Sequence, residues 1–176
     1  MPAQRTGARR APTAPSAAAA PDATRLLADD HRQVHALFAD YRKLAESGAS
    51  GEERRPLAEE ICTLLTVHAA IEEEIFYPAA RAAGVDASVL DEAEVEHASA
   101  KDLIAQIRDI EADAPLYDAK VRVLGEYIDH HVGEEEKELF PKCRESAMDL
   151  GDLGTRLAAR KDELMGEMTE GLEVVG

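Results

Sequence analysis

Two stretches of the chain repeat one pattern: His68-Ala-Ala-Ile-Glu72 followed by Pro78, and His131-Val-Gly-Glu-Glu135 followed by Pro141. In each copy the His lies ten residues before the Pro and the Glu six before it. Residues four apart share a face of an α-helix, so each copy presents an imidazole beside a carboxylate. Neutral imidazole nitrogens with carboxylate oxygens are a donor set for iron, manganese or zinc. An acid-His pair precedes each copy, Asp30-His31 and Glu96-His97, with His-to-His separations of 37 residues (31 to 68) and 34 (97 to 131). The chain therefore reads as two copies of a helical hairpin, each carrying one His and then a His-x-x-x-Glu.

Positioning these groups requires helices, and the apolar series predicts where their faces point. Leu57, Ile61, Leu64, His68, Glu72 and Ile75 form one seam, and Tyr117, Val121, Leu124, Ile128, His131 and Glu135 another. This register selects His131 over its neighbour His130. Leu27, His31, Val34 and Phe38, and Leu90, Ala93, His97, Ala100 and Ile104, place the other two imidazoles on buried stripes as well. A buried carboxylate without a partner costs several kcal/mol. Two of them among four imidazoles, with no Lys or Arg in the same layer, call for a cation, and His31, His68, Glu72, His97, His131 and Glu135 are the predicted metal ligands. Glu73, Glu74, Glu134, Glu136 and Glu138 are read as solvated faces, with Glu73 and Glu136 also in reach of ligand imidazoles. His35, one turn beyond His31, is read as lying outside the ligand set. Of the four tyrosines, Tyr117 and Tyr127 are the candidates for hydrogen bonding in the pocket.

The helices themselves are predicted from periodicity and breakers: 23–46, 52–83, 87–111 and 115–146, with Pro78 producing a kink or an early end near Tyr77. After Gly151-Asp-Leu-Gly154 a fifth amphipathic helix is expected over 155–168. Short connections between four long helices give antiparallel neighbours, hence an all-α, up-down-up-down four-helix bundle with an additional short C-terminal helix. Residues 1–22 are rich in Pro and Ala and lack bulky apolar side chains, which predicts a disordered tail; 23–168 form the one domain, and 169–176 a flexible end.

Composition narrows the partners. With 20 Lys and Arg against 36 Asp and Glu, the formal net charge is −16, which disfavours nucleic acid and anionic membrane surfaces. No apolar run approaches the roughly 18 residues that span a bilayer. Cys62 and Cys143 are isolated thiols at no redox or metal spacing, so a reduced, cytoplasmic setting is expected.

The order His31, His68-x-x-x-Glu72, His97, His131-x-x-x-Glu135, with Phe-Tyr-Pro and Leu-Phe-Pro trailing the two repeats, resembles the hemerythrin-like HHE cation-binding family over about residues 24–165. Asp30-His31 and the segment 152–161 are similar to the same group. The resemblance implies two non-heme iron ions inside a four-helix bundle, bridged by two carboxylates and an oxo or hydroxo group, with manganese or zinc as alternatives. Oxygen-carrying hemerythrins have a further His four residues after the third-helix ligand, where this chain has Lys101, and an Asp five residues after the last His, where this chain has Glu135 at four. One imidazole fewer leaves positions open on the metals, which suits turnover of a small molecule better than reversible storage. The expected function is a diiron protein that binds or reacts with dioxygen, nitric oxide or hydrogen peroxide. The alternative is an oxygen-, redox- or iron-responsive binding module acting on a protein partner through its tails.

Overall fold

The structure, a computed structural model, describes residues 22–173, with side chains to Thr169. Helix α1 (Ala23–Glu46) starts where the Asp22 carboxylate accepts from the Arg25 N–H, satisfying one of the free donors at the helix start. Helix α2 (Gly51–Ile71) opens on a capping box between Ser50 and Glu53. It continues through a π-helical turn, Glu72–Phe76, into α3 (Tyr77–Ala82), which Gly84 closes at a φ of 77°. Helix α4 (Ala87–Asp109) follows, then α5 (Tyr117–Glu134), a second π turn (Glu135–Leu139), α6 (Phe140–Glu145) and α7 (Leu150–Glu173). No strand occurs among the described residues.

The two prolines thus neither end the helices nor act alone. In each π turn a backbone N–H reaches five residues back, Tyr77 to the Glu72 carbonyl and Phe140 to the Glu135 carbonyl. The next residue is Pro78 or Pro141, which brings no N–H, so the widened turn strands no donor. The helix does not end near Tyr77: the chain passes through the widened turn and on into α3.

Helix α1 packs on α2 and α5, and α4 packs on α5 and α2, closing the four-helix, up-down-up-down arrangement that was predicted. The fifth helix lies along α1, α2 and the first π turn. It begins at Leu150, so the expected break at Gly151–Gly154 is helical: burial of Leu153 and Leu157 in the core outweighs the weak helix preference of the glycines. It also runs past Met168, taking in 169–173 of the predicted flexible end. Residues 1–21 of the predicted tail and 174–176 lie outside the described residues. No helix of the described chain is long and apolar enough to cross a membrane.

Two apolar clusters fill the bundle. One gathers Val34, Phe38, Ile61, Leu65, Ile104, Leu124 and Ile128. The other gathers Leu27, Ile71, Phe76, Leu90, Leu139, Phe140 and Leu157. Along every bundle helix the His and Glu positions fall between members of the two clusters, so the polar residues form one layer with hydrocarbon above and below.

Candidate metal centre

The structure brings all six predicted residues into that layer: His31, His68, Glu72, His97, His131 and Glu135 are each less than a tenth exposed. The imidazoles meet in pairs through their Nε2 atoms, His31 with His68 at 3.2 Å and His97 with His131 at 3.2 Å. The carboxylates link the pairs. Glu72 Oε2 is 3.2 Å from His68 Nε2 and 3.3 Å from His97 Nε2, while Glu135 Oε2 is 3.3 Å from His31 Nε2 and 3.6 Å from His131 Nε2. Donor atoms of His31, His68, Glu72 and Glu135 fall within 4.8 Å of one another, as do those of Glu72, His97 and His131.

Every outward-facing ring nitrogen meets a carboxylate. His31 Nδ1 is 2.9 Å from Glu136, His97 Nδ1 2.9 Å from Glu73, His131 Nδ1 2.8 Å from Glu96, and His68 Nδ1 3.4 Å from Asp30. The pattern obeys the repeat, because Glu73 and Glu136 each follow a ligand-type Glu, and Asp30 and Glu96 each precede a His. Each of these acids serves an imidazole on another helix. Glu73 and Glu136 stay partly exposed, as expected for solvated faces, and the antiparallel packing also turns each onto an imidazole. The role of Asp30 and Glu96 was missed, although the repeated acid-His pairs carried the signal. Lys161 holds Asp30, and Lys101 holds Glu73 with its Nζ 2.6 Å from both oxygens. Lysines therefore reach the outer ring of acids and not Glu72 or Glu135.

An ionised carboxylate only accepts hydrogen bonds, so each Nδ1 carries the ring proton and each neutral Nε2 turns a lone pair inward. Two lone pairs facing at 3.2 Å repel unless a cation lies against them. Glu72 Oε1 and Glu135 Oε2 are buried with no hydrogen-bond partner. Without a metal the layer can recruit only protons. Burial opposes charge on His68, yet Glu72, Asp30 and Glu135 override it and push its pKa up to about 10. Burial likewise opposes charge on His131, and Glu135 with Glu96 raises it. Glu72, whose burial would favour the neutral acid, is held well below the usual carboxylate range by His68 and His97. The donor set fits a multiply charged cation.

The sequence profile of the Hemerythrin HHE cation binding domain matches residues 22–143. The chain belongs to this family. It is 30% identical over 128 residues to protein Rv2633c of Mycobacterium tuberculosis (strain ATCC 25618 / H37Rv), covering 71% of this chain and 78% of that one. Protein Mb2666c of Mycobacterium bovis matches to the same extent. A crystal structure of an HHE cation binding domain-containing protein from Mycobacterium kansasii, described as an Rv2633c homolog, superposes with a TM-score of 0.72 at 27% identity, covering 87% of this chain and 93% of that chain.

Within this HHE fold the two halves of the layer differ in one aromatic side chain. Phe140 stacks on His31 with ring centroids 5.8 Å apart, and Tyr77, at the matching place in the first repeat, lies 5.5 Å from the His97 ring. Only Tyr77 has a hydroxyl, which donates to Glu135 Oε1 at 2.9 Å and lies 3.3 Å from His97 Nε2. The expected pocket tyrosines are elsewhere: Tyr127 is 51% exposed, and Tyr117 is buried in the apolar cluster away from the layer. The missed signal was the position of Tyr77 inside the repeated motif. His35 faces Asp129 at 3.2 Å, outside the layer as expected.

A small cavity caps the four imidazoles, walled by Val34, Leu65, Ala100, Ile128 and Val132, with Lys101 at its side. Its accessible volume of about 20 Å³ holds a single water-sized molecule.

Proposed function

We propose that the chain holds two non-heme iron ions, one through His31 and His68 and the other through His97 and His131, with Glu72 and Glu135 each reaching both, and that it binds or reacts with dioxygen, nitric oxide or hydrogen peroxide. The observation that carries this reading is the pairing of inward Nε2 atoms in a buried layer that also holds two partnerless carboxylate oxygens. Iron in this nitrogen and oxygen setting would supply one-electron redox chemistry and a Lewis-acid position for the small molecule, and the donors also suit manganese or zinc. The protein's own contribution is orientation and exclusion. The outer carboxylates fix each imidazole through Nδ1–H, the apolar walls leave room beside the four imidazoles for one water-sized molecule, and Tyr77 holds a proton against Glu135.

Metal analysis of protein from iron-supplied cells, with absorption spectra before and after chelation, tests the reading. About two irons per chain are expected; less than about half an equivalent, with stability indifferent to chelator, overturns it. Glu72→Ala and Glu135→Ala should each lose iron, and His131→Ala should lose it where His130→Ala does not. Turnover of peroxide, dioxygen or nitric oxide by the loaded protein separates an enzyme from a responsive module. Two contacts favour the module as the second reading: α7 reaches the outer ring of acids through Lys161 on Asp30 and grips the first π turn through Arg160 on Glu74, 2.7 Å away. A helix wired in this way would respond to metal state, and a partner could read that response.

A further inference from the structure

A second His-x-x-x-Glu, His130 to Glu134, runs through α5 one residue out of register with His131 and Glu135, and it lies on the outer face of the helix rather than on the core seam. There His130 Nε2 lies 3.4 Å from Glu134 Oε1 and 3.5 Å from Glu96 Oε1, with donor atoms of all three within 4.8 Å of one another. Glu96 is not a free surface acid. Its other oxygen, Oε2, takes the Nδ1 proton of buried His131 at 2.8 Å, which fixes the carboxylate in place. One carboxylate thus faces the buried layer and the solvent at once.

We propose that His130, Glu134 and Glu96 form an exposed site for a divalent transition-metal ion, and that it captures ions on their way to the buried layer. The donor chemistry is an imidazole and two carboxylates, with water free to complete the shell, which suits iron(II), manganese or zinc. A pair of helical residues at i and i+4 with a third donor from the neighbouring helix is already assembled and asks little ordering entropy of the protein. The position in the fold supports the role. At the matching places in the first repeat, 63 residues earlier, stand Val67 and Ile71, both buried, and the acid matching Glu96 is Asp30, which Lys161 of α7 already occupies. The first repeat's face is therefore closed by α7. The second repeat presents its His-linked acid, with an imidazole at 66% side-chain exposure beside it. The surplus of acids on the chain draws cations to such a place.

The capture role rests on the buried layer being a metal centre; the surface site does not. The test is equilibrium dialysis of Zn²⁺ against iron-loaded protein, together with the rate at which chelated protein takes up iron(II). Wild type should hold one Zn²⁺ beyond its buried ions. His130→Ala and Glu134→Gln should bind that ion at least about tenfold more weakly, the lower end of what losing a single supporting contact does to a metal site. Both should also load iron more slowly while reaching the same final iron content. Glu126→Gln, which removes an equal charge from an exposed position on α5, should change neither quantity. Unchanged Zn²⁺ binding in His130→Ala and Glu134→Gln overturns the site, and an unchanged loading rate overturns the capture role. Should the buried layer take no iron, the Zn²⁺ ion lost with His130 still reports on the surface site by itself.

Discussion

Protons and metal compete for the same Nε2 atoms, and the competition has a sign. In the metal-free protein the pKa of His68 lies at about 10, above its ordinary 6.5, so its contribution to stability is complete below about pH 6.5 and is lost as the pH climbs toward 10. Glu72 is held below its ordinary 4.5, so its contribution is present above about pH 4.5 and is lost as the pH falls. Chelated protein should therefore melt highest between about pH 4.5 and 6.5 and weaken toward pH 10. Loaded protein should instead gain stability from about pH 5 to 7.5, because metal binding displaces protons from imidazole. Paired melting curves check this, and parallel pH profiles would sink it. Tyr77 gives a second test. Tyr77→Phe puts the residue of the second repeat, Phe140, at the matching place in the first and leaves buried Glu135 Oε1 without its donor, which should cost roughly 1–3 kcal/mol in urea denaturation of the chelated protein.

The elements matter through what they hold in register. Both π turns start at the layer's carboxylates, Glu72 and Glu135, and the widened turn is coupled to the proline six residues on. Helix α7 is the element whose role composition alone could not show. It places Leu157, fully buried, into the apolar cluster beneath the layer while its lysine and arginine reach Asp30 and Glu74. Leu157→Ala should destabilise the protein by roughly 2–5 kcal/mol, as expected for a truncated core leucine, read from the shift in the urea midpoint. If α7 were a loosely attached appendage, the shift would be near zero.

For the whole molecule, the central layer makes stability depend on what fills it. Metal that binds only the folded chain adds about 4 kcal/mol per site at a thousand times its dissociation constant, which for a chain of this size is roughly 8–16 °C of melting temperature. Titrating iron or zinc into chelated protein should raise the melting point by steps of that order and show saturation. A flat response would mean that the layer is held by protons alone.

The spacing of His and Glu, repeated twice, and the apolar seams through them were local facts, and they were enough to fix helix type, bundle topology and the six inward side chains. That worked because a periodicity of 3.6 couples sequence position directly to face. The partners of those side chains were not local. Asp30 serves His68 and Glu96 serves His131, each on the neighbouring antiparallel helix, and only the packing of the hairpins brings them together. The same holds for Lys161 on Asp30, for Tyr77 reaching Glu135 in the other repeat, and for the start of α7 at Leu150, where burial of Leu153 and Leu157 overrode two glycines. Sequence by itself determined which donors would converge. The tertiary structure decided which carboxylate orients each imidazole, because contacts between helices depend on their relative rotation and offset, which no single helix encodes.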